Sequence, residues 1–259
     1  MKAQLLLRIP LFDVGVTRLP INLAHQLRGE MEFRSSCCHH IRTECNAVDR
    51  MLSSKNGYSF PKGNSLLGKK EFAEFWGAVE FLRVLLGSPD DVAASFQSSF
   101  LNVLTLSEQL SFHETRRIVT WIGSDATMAR CGEIDFTHKV YTYFPTDLIH
   151  RVNHSTDTSD DEFIISISEI CSFIFPLLLR GTALENRLVA YTGDNTNVIT
   201  WLTYRRSGNE RARFPLRILA RCEQSLEFRT YPLYISTFNN VEFDNLARLP
   251  GESIREYAV

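Results

Sequence analysis

The sequence predicts an α/β fold, a mixed five-stranded sheet with flanking helices, preceded by a small helical region. Three observations predict it. Short apolar runs that end at turn residues recur five times after residue 117. Apolar residues recur at spacings of three and four over 65–110 and again in three later segments. The second half runs three strands, a helix, a strand, two helices and a strand, an order suited to helices packed on a sheet.

Residues 1–64 form the least regular part, with scattered charges, a Cys37-Cys38-His39-His40 cluster and a turn-rich stretch from Asn56 to Asn64. Cys37, Cys38, His39, His40 and Cys45 have the chemistry of zinc ligands, but structural zinc sites space paired ligands by two to four residues, and adjacent cysteines do not fit that loop. Residues 65–117 read as helical. Leu66, Leu67, Phe72, Phe75, Trp76, Val79, Leu82, Val84 and Leu86 line one helix that ends at Gly87-Ser88-Pro89, and further helices are expected over Val92 to Leu104 and from Ser107.

Residues 118–250 carry the sheet. Ile118 to Ile122 is the first strand, ending at Gly123-Ser124-Asp125, and Glu133 to Phe136 and Val140 to Phe144 are the next two. Phe163 to Leu179 is a buried helix, with the acidic stretch Asp157 to Glu162 before it as a solvated loop. Leu188 to Thr192 is the fourth strand, ending at Gly193-Asp194-Asn195. Asn197 to Tyr204 and Arg213 to Leu226 are helices, and Phe228 to Phe238 is the last strand.

With 259 residues, 44% hydrophobic and 11% aromatic, the chain can bury a core and is not a disordered tail. Its 28 Lys and Arg against 30 Asp and Glu give a net charge of -2, which excludes binding nucleic acid by bulk charge alone. The average conceals two patches: His154 to Glu162 is acidic, while Tyr204 to Arg229 holds seven arginines. Six cysteines, three of them within nine residues, do not resemble a secreted disulfide framework, and no cleavable leader is expected at Met1 to Val14. The longest apolar stretch, Phe163 to Leu179, contains Glu169 and Pro176 and is shorter than the roughly 20 residues that cross a bilayer. An intracellular chain, in cytoplasm or nucleus and off the membrane, is expected.

Four acids occupy telling places. Asp125 follows the first strand, Glu169 interrupts an apolar helix, Asp194 ends the fourth strand and Asp244 lies past the last. A carboxylate on an apolar helix face is costly to bury without a cation or a metal. If the fourth strand lies parallel beside the first, Asp125 and Asp194 emerge at one carboxyl edge, where open α/β sheets bind ligands. Oxygen ligands without His or Cys suit Mg²⁺ or Mn²⁺. Taken singly, Asp125 and Asp194 also fit turn or cap positions, and Asp244 a solvated one.

Ser124-Asp125-Ala126-Thr127 with Cys131-Gly132, Ile167-Ser168-Glu169-Ile170, Tyr191-Thr192-Gly193-Asp194-Asn195 and Asn240-Val241-Glu242-Phe243-Asp244-Asn245-Leu246-Ala247-Arg248 together resemble the ribonuclease H domain of retroelement reverse transcriptases, Gypsy-like and DIRS-like elements in particular. The motifs cover about 120–249, and Leu66-Leu67-Gly68-Lys69 with the helices after it is loosely similar to the thumb or connection region that precedes this domain. Cys131 stands where a Trp is usual, Phe243 where a small residue is usual, and no His follows His154.

The resemblance implies a ribonuclease H-like fold and a hydrolase that cuts the RNA strand of RNA/DNA hybrids. It implies that Asp125, Glu169, Asp194 and Asp244 are catalytic and hold two Mg²⁺ ions, with Mn²⁺ as the alternative. Such ions lie about 4 Å apart, one activating water and the other stabilising the leaving 3′ oxygen. Asn195 is expected to cap the following helix or to orient Asp194 at the hybrid. Arg205, Arg206, Arg211 and Arg213, with Arg217 and Arg221, form either a face for the hybrid's phosphates or an ordinary solvated helix face. The aspartate pair of a polymerase palm has no counterpart, so no polymerisation is expected from this chain, and a polymerase portion of the same element is a further expected partner. The competing expectation is a catalytically silent remnant that binds hybrids or serves a structural role.

Overall fold

The structure is a computed structural model that describes residues 21–35, 39–52, 69–85, 87, 90, 119–145, 161–185 and 187–249. The chain divides into two compact units, Met1–Val103 with Arg205–Gly208, and Leu104–Tyr204 with Asn209–Val259.

The first unit is helical where it is described. Helix α1 is Ile21–Ser35, a 3-10 turn spans His39–Ile41, α2 is Arg42–Leu52 and α3 is Lys69–Leu85. The first two helices fall in the part of the sequence read as irregular. α1 packs on α2 and α2 on α3, around Leu27, Met31, Val48, Phe75, Val79 and Leu82. Cys45 lies in this core and donates to the Ile41 carbonyl. Burial pushes its thiol up to about 12, as for a thiol packed in a core. Cys37, Cys38 and the helices expected over 92–117 lie outside the described residues.

The second unit holds one sheet, with β1 Val119–Ala126, β2 Arg130–Asp135, β3 Val140–Pro145, β4 Leu188–Gly193 and β5 Arg229–Tyr234. The strand order is β3-β2-β1-β4-β5. The β1–β2 and β2–β3 pairs are antiparallel, and β4 runs parallel to both β1 and β5. The parallel pairs need crossover helices: α4 (Asp161–Arg180) precedes β4, and α5 (Thr196–Tyr204) and α6 (Glu210–Leu226) precede β5. A last helix, α7, spans Val241–Arg248. This mixed sheet with helices is consistent with the ribonuclease H-like fold.

Several bounds differ from the sequence reading. β2 begins at Arg130, and β5 ends at Tyr234 because a 3-10 turn at Thr237–Asn239 takes over. Asp161 and Glu162 belong to the first turn of α4 instead of a loop. Asp157 and Asp160 lie outside the described residues. Asp244 lies within α7, a helix that was expected only as a tail past the strand.

The principal core is between the sheet and α4, α5 and α6. Ile122, Val189 and Tyr191 of the sheet meet Ile170, Phe173 and Ile174 of α4, with Trp201 and Leu216 closing the layer. Each fully buried side chain of this size contributes about 1.5–3 kcal/mol through the hydrophobic effect. Among the described residues one span, Ile165–Leu184, is long and apolar enough to cross a membrane, and 61% of it is buried. That burial against the sheet explains its composition as a core helix, which is longer than the sequence suggested.

Arg180, Glu133 and Asp135 form a buried ionic group inside this unit. Arg180, at the end of α4, donates to both carboxylate oxygens of Glu133 and lies 3.2 Å from Asp135. Asp135 also accepts from the Thr137 and His138 backbone amides and sits 2.7 Å from His138 Nδ1, which closes the β2–β3 turn. Burial pushes Glu133 up to about 7 despite the Arg180 guanidinium.

Candidate metal centre

The parallel pairing of β1 with β4 builds the site. Gly123 stands opposite Thr192, so Asp125 and Asp194 each lie two residues further along, at the carboxyl ends of adjacent strands. Glu169 approaches from α4, which packs on β1. One carboxylate oxygen from each of Asp125, Glu169 and Asp194 lies within 4.8 Å of the others, close enough for a shared metal ion. Glu169 is buried, and Asp125 and Asp194 are half-buried.

Buried hydrogen bonds hold these side chains. The Asp125 Oδ1 accepts the Ala126 amide at 2.7 Å. The Ser124 hydroxyl lies 3.0 Å from the Tyr191 hydroxyl and donates to the Glu169 carbonyl at 3.3 Å. The Tyr191 hydroxyl donates to Glu169 Oε1 at 3.5 Å. Gly193 leaves room for this pair, because a Cβ there would lie 2.8 Å from the Tyr191 hydroxyl and 3.0 Å from Glu169 Oε1. Ser124, Tyr191 and Gly193 were missed as site residues, since their roles depend on a strand and a helix far apart in sequence.

Asn195 caps α5, its Oδ1 accepting from the Asn197 and Val198 amides. Its side-chain amide donates to the Ser166 hydroxyl at 3.0 Å, and its backbone and side chain also hydrogen bond to Glu169. The residue expected to cap a helix or to orient Asp194 thus caps α5 and hydrogen bonds to Glu169.

Asp244 approaches from the opposite face of the sheet. α7 packs on β1 and β2 because two glycines admit it. A Cβ at Gly123 would fall 1.9 Å from the Phe243 ring, and one at Gly132 would fall 3.0 Å from Leu246. Phe243 also meets Phe136 edge-on, with ring centroids 5.5 Å apart. The large Phe243 is therefore matched to the absent side chain of Gly123. Strand alternation puts Asp125 on the same side as Gly123, and hence toward α7. Asp244 lies outside the three-carboxylate group but contributes to its field, and it pairs with Arg248 at 2.6 Å.

Burial, with neighbouring negative charge added to it, shifts protonation here. Burial pushes Asp125 up to about 7, with the Asp194 and Asp244 carboxylates adding to the rise and the Ala126 amide and Arg248 opposing it. Burial, then Asp125 and Asp194, drives Glu169 well above the usual carboxylate range. A partly buried set of hard oxygen donors lying this close together suits a divalent cation of the Mg²⁺ or Mn²⁺ type.

Neither a protein-family model nor a curated protein matches this chain.

The arginines divide. Arg205 and Arg213 are among the largest fully buried side chains, which withholds them from a phosphate backbone. Arg206 lies in the helical unit, bonded to Asn46 and 3.1 Å from Asp49. Arg211 and Arg217 are half-buried, and Arg221 donates to Gln224. Burial and internal pairing thus break up the row of arginines that the sequence offered either as a phosphate face or as a solvated helix face.

Proposed function

We propose that this chain is a metal-dependent endonuclease that hydrolyses the RNA strand of RNA/DNA hybrids, as part of a retroelement reverse transcriptase. The observation that carries the reading is the convergence of Asp125, Glu169 and Asp194 within 4.8 Å at the carboxyl ends of parallel β1 and β4. The strand order and the sequence motifs around these acids support it, because ribonucleases H share both.

In this reading Asp125, Glu169 and Asp194, joined by Asp244, would hold two Mg²⁺ ions. When bound, the ions activate the attacking water and stabilise the leaving 3′ oxygen. The chain's own groups prepare for them. The Ala126 amide fixes one oxygen of Asp125, and the Tyr191 hydroxyl and Asn195 orient Glu169. The Phe243 ring seated over Gly123 holds α7, and with it Asp244, against the sheet. The buried free thiols Cys45, Cys131 and Cys171 suit a reducing compartment, cytoplasm or nucleus.

The test is incubation of the full chain with a labelled hybrid and Mg²⁺. Cleavage of the RNA strand is expected, and Asp194→Asn should abolish it. Salt-sensitive hybrid binding without Mg²⁺-dependent cutting would instead favour a silent remnant.

A further inference from the structure

Arg248 closes α7, four residues after Asp244, on the same helix face. Its Nε lies 2.6 Å from Asp244 Oδ1. The pair is at the rim of the site, since the Arg248 side chain is 68% exposed and that of Asp244 36%. One exposed cation thus holds the carboxylate that α7 carries to the site.

We propose that Arg248 is a latch: its guanidinium holds Asp244 while the site lacks divalent ions, and turns to a phosphate of the bound nucleic acid once Asp244 is drawn to the metal. The proposal rests on the nuclease reading above and adds a substrate contact to it. An exposed pair is weak and readily exchanged, and two charges on a metal outcompete one guanidinium for a carboxylate. The freed guanidinium then lies beside the site with a planar fork suited to phosphate oxygens. A merely structural pair on a helix surface has a different consequence, since losing it would weaken α7 and leave KM for the hybrid unchanged.

The experiment compares full-length wild type, Arg248→Gln and Arg248→Lys. Calorimetric titration of the metal-free proteins with Mg²⁺ should give a Kd about two- to fivefold tighter for Arg248→Gln, the strength of an exposed ion pair. Arg248→Lys should titrate like wild type. At saturating Mg²⁺, Arg248→Gln should raise KM for the hybrid about tenfold with a smaller change in kcat, the size of one lost charge-assisted hydrogen bond, and Arg248→Lys should restore part of it. Unchanged or weaker Mg²⁺ binding by Arg248→Gln overturns the latch, and an unchanged KM overturns the phosphate contact. If the wild type cuts nothing, the nuclease reading falls by itself. The Mg²⁺ titration still decides the latch, and hybrid affinity by fluorescence anisotropy in Mg²⁺ then replaces KM.

Discussion

Replacing Asp125 by Asn should stabilise the metal-free protein at pH 8. Burial, with Asp194 and Asp244 nearby, takes Asp125 from its ordinary 3.8 up to about 7, while in the unfolded chain it titrates normally. The folded state therefore binds this proton more tightly. The stability it contributes is complete below about 4 and is lost as pH rises through about 7. A difference of roughly three pH units, at about 1.4 kcal/mol each, sets an upper figure on the order of 4 kcal/mol. Partial exposure of the carboxylate reduces this to about 2–4 kcal/mol. Urea unfolding followed by circular dichroism, in EDTA from pH 4 to 8, measures it. Asp125→Asn should match wild type near pH 4 and exceed it by about 2–4 kcal/mol at pH 8. Glu133, pushed up to about 7 as well, gives both proteins a residual slope of the same sign. Adding Mg²⁺ at pH 8 should reverse the order, because only the wild type keeps the full donor set. An Asp125→Asn variant no more stable than wild type at pH 8 in EDTA, or a difference that does not shrink toward pH 4, would refute the account of a self-repelling acidic centre.

Three further outcomes are expected. Gly123→Ala puts a Cβ where the Phe243 ring stands, so it should cost about 1–3 kcal/mol or more. In a double-mutant cycle with Phe243→Ala the two losses should fall short of additivity, whereas strict additivity would mean that α7 is not seated by this contact. Arg180→Met leaves Glu133 and Asp135 buried without their guanidinium and should cost about 3–5 kcal/mol at pH 8, and less at pH 5 where Glu133 takes up a proton. Equal destabilisation at both pH values in urea unfolding would contradict this. Tyr191→Phe removes the hydroxyl that lies between Ser124 and Glu169; a loss of about 1–2 kcal/mol is expected. Calorimetry should also show weaker Mg²⁺ binding, and unchanged binding would deny Tyr191 a part in orienting Glu169.

The sheet was legible because strand periodicity and turn residues are local. The apolar runs ending at Asp125 and Asp194 mark β1 and β4, and Glu169 stood out as the one charge in an apolar helix. α7 was not legible: eight residues with a single buried stripe of Phe243, Leu246 and Ala247 carry little periodic signal. The arginines misled for a related reason. Arg205 and Arg213 look identical in sequence to solvated neighbours, and only the packing around them makes them buried. Glu133 and Arg180 likewise carry no mark of pairing across 47 residues.

By itself the sequence determined the fold class, the order of the elements and three acids at positions where strands end or a helix face is apolar. Those features follow from residue periodicity and from the cost of burying charge, which act over a few residues. Tertiary structure alone decided that Asp125, Glu169 and Asp194 meet within 4.8 Å, and that Tyr191, Ser124 and Asn195 hold Glu169. It alone decided too that Asp244 arrives on a helix seated over Gly123, with Arg248 paired to it. Such distances arise from the parallel register of β1 with β4 and from close packing across the sheet, which join residues with no local relation in the chain.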